Sequence, residues 1–206
     1  MSITFYRAPM SSAIPVAWAL SELSVPHEAV TFDLKAKEQK RPEFLKLNPN
    51  GKVPTLVVDG VPMFEALAIN IWLGERFGVE KGMWPAPGTL SAGEALSWST
   101  WAYVTYGSMA TRVFLASGRW HGEGFENAAQ LAVAKKEIAE LHRILDERLA
   151  ERAFILGPAF TLVDLVVASA VGYASAGGIS VADYPRLKAW LETCQARPAC
   201  RAAWKT

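Results

Sequence analysis

The run Asn48-Pro49-Asn50-Gly51-Lys52-Val53-Pro54-Thr55-Leu56, followed by Phe64-Glu65-Ala66-Leu67-Ala68-Ile69, constrains this chain more than any other stretch. It reads as a turn, a proline held at the start of a strand, a short hairpin and a helix N-terminus. A proline that opens a strand after a glycine turn is compatible with a cis peptide bond, or with a trans proline at a sheet edge. A cis bond would turn the Val53 backbone outward, where an extended peptide can pair with it as an added strand. The helix beginning near Glu65-Ala66 offers backbone N–H groups, which bind carboxylates whatever the side chain. The motif therefore points to a cradle for a small peptide-like ligand.

The elements around it form an ordered series. Ile3 to Tyr6 is β-prone, and Ala13, Val16, Ala17, Leu20 and Leu23 have helical spacing. Val25-Pro26 marks a turn, and Glu28 to Leu34 reads as a strand. Strand, helix and strand within 34 residues suit a parallel crossover. Lys37 to Leu47 is polar and weakly helical. Thr55 to Val58 and Val61 to Phe64 are short strands joined by Asp59-Gly60, a strong two-residue hairpin signal. Ala66 to Phe77 is helical and stops at Gly78. The order βαβ, loop or helix, ββα is that of a thioredoxin-like domain over residues 1–78. A Gly- and Pro-rich linker over 79–88 and an all-helical domain over 89–206 follow.

In that second domain Ala92 to Ser117 reads as a long aromatic helix with Trp98, Trp101, Tyr103 and Tyr106. Phe125 to Arg152 reads as another, burying Leu131, Ala134, Ile138, Leu141, Leu145 and Leu149. Thr161 and Asp164 have capping-box spacing and open a third, very apolar helix that ends at Gly177-Gly178. Two short helices begin at Pro185 and Pro198.

Composition narrows the function classes. A formal charge of +1 argues against bulk electrostatic binding of nucleic acid. The two cysteines, Cys194 and Cys200, do not form a Cys-x-x-Cys pair, which excludes a thioredoxin-type dithiol. His27, His121 and His142 are scattered, so no metal site is expected. Arg7, Pro9 and Pro15 interrupt any apolar leader, and the Leu165 to Ala174 stretch is too short to span a bilayer. A cytoplasmic protein with no membrane association is expected.

Hydroxyls between the first strand and the first helix supply candidate chemistry. In Pro9-Met10-Ser11-Ser12, either serine can cap the helix, the commoner role, while the other reaches a ligand. A hydroxyl there can donate to a ligand thiolate, aided by the helix dipole. A free thiol has a pKa of about 8.5, so stabilising the anion creates the nucleophile. Tyr6, at the end of the first strand, is the rival donor. The basic run Lys35, Lys37, Lys40, Arg41, Lys46 and Lys52 is read first as a solvated face.

The Asn48–Leu56 and Phe64–Ile69 motif resembles that of the cytosolic glutathione transferases, and the likeness covers essentially the whole chain. The segment Phe154 to Asp164 is similar to the family's second-domain helix start. Tyr6-Arg7-Ala8-Pro9-Met10-Ser11 is most similar to serine-type, phi-like members. The resemblance implies that Ser11 donates to the glutathione sulfur, with Ser12 and Tyr6 as alternates. It implies that Val53, before a cis Pro54, pairs with the cysteinyl backbone, that Glu65 and Ala66 hold the γ-glutamyl end, and that Gln39, Lys40 and Lys52 serve the glycyl carboxylate. Met10, Trp101 and Tyr106 would line an apolar second-substrate site, although aromatic helix positions are more often core. A homodimer is implied, with glutathione as co-substrate and no metal.

Three departures stand out. Ala66 replaces a serine, Gln39 a histidine, and Val16 an arginine. Losing one hydroxyl to a charged group costs about 1.5–3 kcal/mol, roughly ten- to a hundredfold in affinity. The expected activity is conjugation of glutathione to apolar electrophiles, with peroxidase side activity. The competing expectation is a non-catalytic binding or protein-interaction module. A glutaredoxin-like oxidoreductase would need a cysteine near Ser11 and is set aside.

Overall fold

The computed structural model describes residues 1–119 and 124–204; His121 lies outside them. The chain divides into two units. One is Met1–Thr89 together with the C-terminal segment from Ala196, and the other is Leu90–Gln195.

The first unit is built on a four-stranded sheet of order β2-β1-β3-β4, with β1 Ile3–Arg7, β2 Glu28–Thr31, β3 Thr55–Val58 and β4 Val61–Phe64. β1 runs parallel to β2 and antiparallel to β3, and β3 runs antiparallel to β4. The crossover helix α1 spans Ile14–Glu22, with its proline in the first turn where no N–H is missed. The hairpin residues Asp59 and Gly60 both have positive φ, 46° and 84°. That conformation matches strand twist in a two-residue loop. β2 is shorter than expected. The Asp33 carboxylate takes the N–H groups of Lys35 and Ala36, which turns the chain out of the sheet. The polar stretch beyond it holds a 3₁₀ turn at Glu38–Lys40 and the one-turn helix α2, Pro42–Leu45. α3, Ala66–Leu73, completes the βαβαββα order and continues as a π turn over Gly74–Gly78.

The last helix, α9 (Pro198–Trp204), packs on α1 and so belongs to this first unit, not to the helical one. At the end of α1, Glu22 accepts Arg197 Nε at 2.5 Å and Nη2 at 2.7 Å, and also Trp18 Nε1 at 2.9 Å. The ion pair bridges 175 positions, which local sequence patterns do not reveal.

The second unit is all helical among the described residues. α4 (Leu90–Thr100) passes through a π-helical segment, Trp101–Tyr106, into α5 (Gly107–Ala116). α6 is Ala128–Arg148, and it starts later than expected because Asn127 caps it, accepting Gln130 N–H at 3.0 Å. α7 (Leu162–Ala176) is the central helix; Leu162, Val163, Leu165, Val166 and Val167 have no exposed surface. α8 is Pro185–Gln195.

Asp164 accounts for how α7 begins. Its carboxylate accepts Thr161 N–H and Oγ1–H, Ile155 N–H and Trp190 Nε1–H, all within 3.0 Å. Burial pushes its carboxyl above the ordinary value, opposed by these four donors. The group is a folding device and takes no part in the site below. No described helix is long and apolar enough to cross a membrane.

Candidate functional site

Strand register gathers the site. Tyr6 pairs with Thr55, and Thr55 with Phe64. The segment leaving β1, the segment entering β3 and the segment leaving β4 therefore meet at one end of the sheet. They carry Ser11 and Ser12, Lys52 to Pro54, and Glu65 with Ala66.

The segment entering β3 is pinned from inside. Asn48 is 1% exposed, and its Nδ2 donates to the Lys52 carbonyl at 2.8 Å and to Thr55 Oγ1 at 3.0 Å. Its Oδ1 accepts Asn50 N–H at 3.0 Å. Gly51 closes the turn at φ 57°, and an added Cβ would lie 2.9 Å from the Gln39 carbonyl. The Val53–Pro54 peptide bond is cis. Val53 N–H has no hydrogen-bond partner among the described residues, and its carbonyl accepts Ser12 Oγ–H at 2.8 Å.

The segment leaving β1 turns at Met10, a non-glycine residue at φ 51° whose side chain is 75% exposed. A left-handed conformation costs an ordinary residue about 1–2 kcal/mol. Ser11 closes this turn. Its hydroxyl donates to the Ala8 carbonyl at 2.6 Å and accepts Ala13 N–H at 3.2 Å. Ala13 itself is the residue before α1 and offers no side-chain cap, so neither serine fills the usual capping position. Tyr6 is half-buried, its ring set between Phe32 and Phe44 at 5.7 and 5.3 Å, as a strand aromatic would be.

At the exit from β4, Glu65 is exposed and sits at φ 69°, a second strained non-glycine residue. Its carbonyl accepts Ile69 N–H, the first bond of α3, and no side chain caps the helix. The leading N–H groups of α3 have no intrahelical acceptor. Ala66 is buried. The basic residues converge in part. Lys40 Nζ donates to the Asn50 carbonyl at 2.9 Å, tying the 3₁₀ turn to the loop before Pro54. Lys52 is exposed. Gln39 has a buried amide oxygen that accepts no hydrogen bond.

The residues expected to line an apolar site divide between the units. Met10 is in the first and Trp101, half-buried, in the second. Tyr106 has no exposed surface, and its hydroxyl lies 2.9 Å from His142 Nε2, so in this structure it is part of the helical core. Burial lowers the His142 pKa from 6.5 to about 4 and raises that of Tyr106. A cavity of about 410 Å³ in the first unit, lined by Phe5, Leu20 and Ala203 among others, lies away from Ser11, Val53 and Glu65. Among the described residues no cluster of His, Cys, Asp or Glu could hold a metal ion.

Sequence reasoning missed the Ser12–Val53 bond and the reach of the Asn48 amide. The Asn-Pro-Asn-Gly run signals the second, since asparagine favours turns that bond its own backbone.

A thioredoxin-like domain with a cis proline beside a backbone N–H that has no partner among the described residues, followed by a helical domain, defines the class. Residues 1–75 match the glutathione S-transferase N-terminal domain, and residues 95–198 match the C-terminal domain. The chain belongs to the glutathione S-transferase family. It is 31% identical over 202 residues to glutathione S-transferase 3 of Zea mays, covering 96% of this chain and 90% of that one. It is 26% identical over 206 residues to the disulfide-bond oxidoreductase YfcG of Escherichia coli K12, covering 96% and 92%. A glutathione transferase family member from Pseudomonas fluorescens pf-5, solved with two glutathione bound, superposes with a TM-score of 0.82 at 26% identity, over 98% of this chain and 92% of that one.

Proposed function

We propose that the chain is a serine-type, phi-like glutathione transferase, working in the cytoplasm as a homodimer. It binds glutathione at the end of the sheet described above and conjugates it to an apolar electrophile. The observation that carries this reading is Val53: an N–H without a partner, beside a cis proline, at the same end of the sheet as an uncapped helix N-terminus. An extended cysteinyl residue pairs with such a backbone. The γ-glutamyl carboxylate would take the leading N–H groups of α3. Lys40 and Lys52 would face the glycyl carboxylate, with Gln39 beside them.

Ser11 is the thiol activator in this reading. Its Oγ already accepts Ala13 N–H, which polarises the hydroxyl as a donor. Rotating the hydroxyl from the Ala8 carbonyl to the sulfur exchanges a neutral bond for a charge-assisted one, a net gain. The thiol proton leaves to solvent. The thiolate sulfur then bonds to the electrophilic carbon as the leaving group departs with its electron pair. Met10 in the first unit and Trp101 in the second are each retained as apolar candidates, and Tyr106 is left to the core.

The relative named as a disulfide-bond oxidoreductase motivates a disulfide substrate beside the electrophiles and hydroperoxides in any assay. Electrons for such a reaction would come from glutathione itself. Both cysteines of this chain are buried, and burial pushes the Cys200 thiol up to about 11. The second reading, a non-catalytic binding module, rests on Ala66. Calorimetric titration with glutathione tests the proposal. Saturable binding below millimolar concentration supports it, and no heat up to that range sinks it.

A further inference from the structure

The side chain of Ser12 does not bond its own neighbourhood. It crosses 41 positions to donate its single proton to the Val53 carbonyl at 2.8 Å. Serines before a helix usually bond the nearby backbone, as Ser11 does here with Ala8 and Ala13. Two adjacent serines therefore do different work. The Ser11 proton rests on a carbonyl within its own turn and is released by a rotation about one bond. The Ser12 proton holds together the turn leaving β1 and the loop entering β3.

A carbonyl oxygen has two lone pairs. Ser12 occupies one at Val53, and one remains for a ligand N–H. The same bond fixes where the next residue along, Ser11, stands relative to the Val53 backbone. The geometry points to Ser12 as a positioning residue: its hydrogen bond to Val53 sets the spacing between the hydroxyl that stabilises the thiolate and the backbone that holds the peptide. This rests on the glutathione reading given above. Ser12 does not touch the sulfur in this role, because its only proton is committed to Val53. The tie also lies at a partly exposed place, between two loops that have other anchors, Asn48 on one side and the Ser11 turn on the other. Its loss therefore loosens alignment and leaves the fold in place.

The test compares wild type, Ser12→Ala, Ser12→Thr and Ser11→Ala. The pKa of the bound glutathione thiol is read from thiolate absorbance against pH, with glutathione affinity from calorimetry, kcat/KM with an aryl halide electrophile, and thermal midpoint. In Ser12→Ala the bound thiol should move up toward the ~8.5 of a free thiol, and kcat/KM should fall about tenfold, the weight of one net hydrogen bond. Glutathione affinity should change less than about threefold. Ser12→Thr, which keeps the hydroxyl, should restore both values. A folded Ser12→Ala with wild-type thiol pKa and kcat/KM overturns the inference. So does a Ser12→Ala that abolishes turnover while Ser11→Ala stays active, since Ser12 would then be the activator. A wild-type protein that does not titrate with glutathione overturns the functional reading beneath it, a separate result from failure of Ser12 alone.

Discussion

The amide of Asn48 donates to the carbonyl of Lys52 at 2.8 Å, from a position 1% exposed, and so shapes the loop in front of Pro54 from within the unit. The same side chain serves Thr55 and Asn50. Replacing it by alanine removes three hydrogen bonds and empties a site 1% exposed, leaving only the 3.3 Å bond from Thr55 Oγ1–H to the Lys52 carbonyl to hold the loop from within. Asn48→Ala should cost about 2–4 kcal/mol, seen as a lower urea midpoint with an unchanged slope. Asn48→Asp puts an acceptor against the Lys52 carbonyl and should be no better. A loss under about 0.5 kcal/mol would show that backbone bonds alone hold the loop.

His142 makes stability depend on pH. Burial lowers its pKa from 6.5 to about 4, so between these values the unfolded chain binds more protons than the folded one. Stability from this residue is full above pH 6.5 and is lost as pH falls toward 4. The total is about 3 kcal/mol. Protonation also leaves the ring with donors only, so the Tyr106 hydroxyl can no longer donate to it. In His142→Gln the acid limb of a plot of urea midpoint against pH should flatten. An acid limb identical to wild type would assign the loss to carboxylates instead.

Much of the fold was legible because its signals are local. Asp59-Gly60 predicts a two-residue hairpin, and both residues have the positive φ it requires. Thr161 and Asp164 predict a capping box, and both of its bonds are present. What escaped depends on residues far apart in sequence. The Ser12–Val53 bond spans 41 positions and the Tyr106–His142 bond 36. The latter places in the core an aromatic side chain whose helical spacing fits lining and core alike. α9 joins the first unit through Arg197 and Glu22, which nothing near residue 200 announces. The π segment Trp101–Tyr106 has no compositional mark either, since one extra residue per turn is set by packing.

Ser11 and Tyr6, two of the three candidate thiol activators, differ in what already binds them. Ser11 is held by backbone on both sides, whereas Tyr6 packs its ring against Phe32 and Phe44. Ser11→Ala should lower kcat/KM for conjugation about 100-fold or more, the usual effect of losing one donor to a developing anion. Tyr6→Phe should stay within about threefold of wild type. The reverse pattern in initial rates would move the activating role to the phenol.

Ala66 gives the most direct test of how the peptide carboxylate is held. Its N–H stands at the start of α3, next to the strained Glu65, and no side chain caps that helix. A serine at this position adds a hydroxyl donor without changing the backbone contacts, and serine is tolerated in a first helical turn. Hydrogen bonds to charged groups contribute about 1.5–3 kcal/mol. Ala66→Ser should therefore tighten glutathione binding by about tenfold or more in calorimetry. The thermal midpoint of the free protein should change little, because the gain is made only with ligand present. If affinity is unchanged in a folded Ala66→Ser protein, the γ-glutamyl carboxylate does not sit at this helix start. The assignment of Glu65 and Ala66 would then fall, while the Val53 backbone pairing would stand untouched.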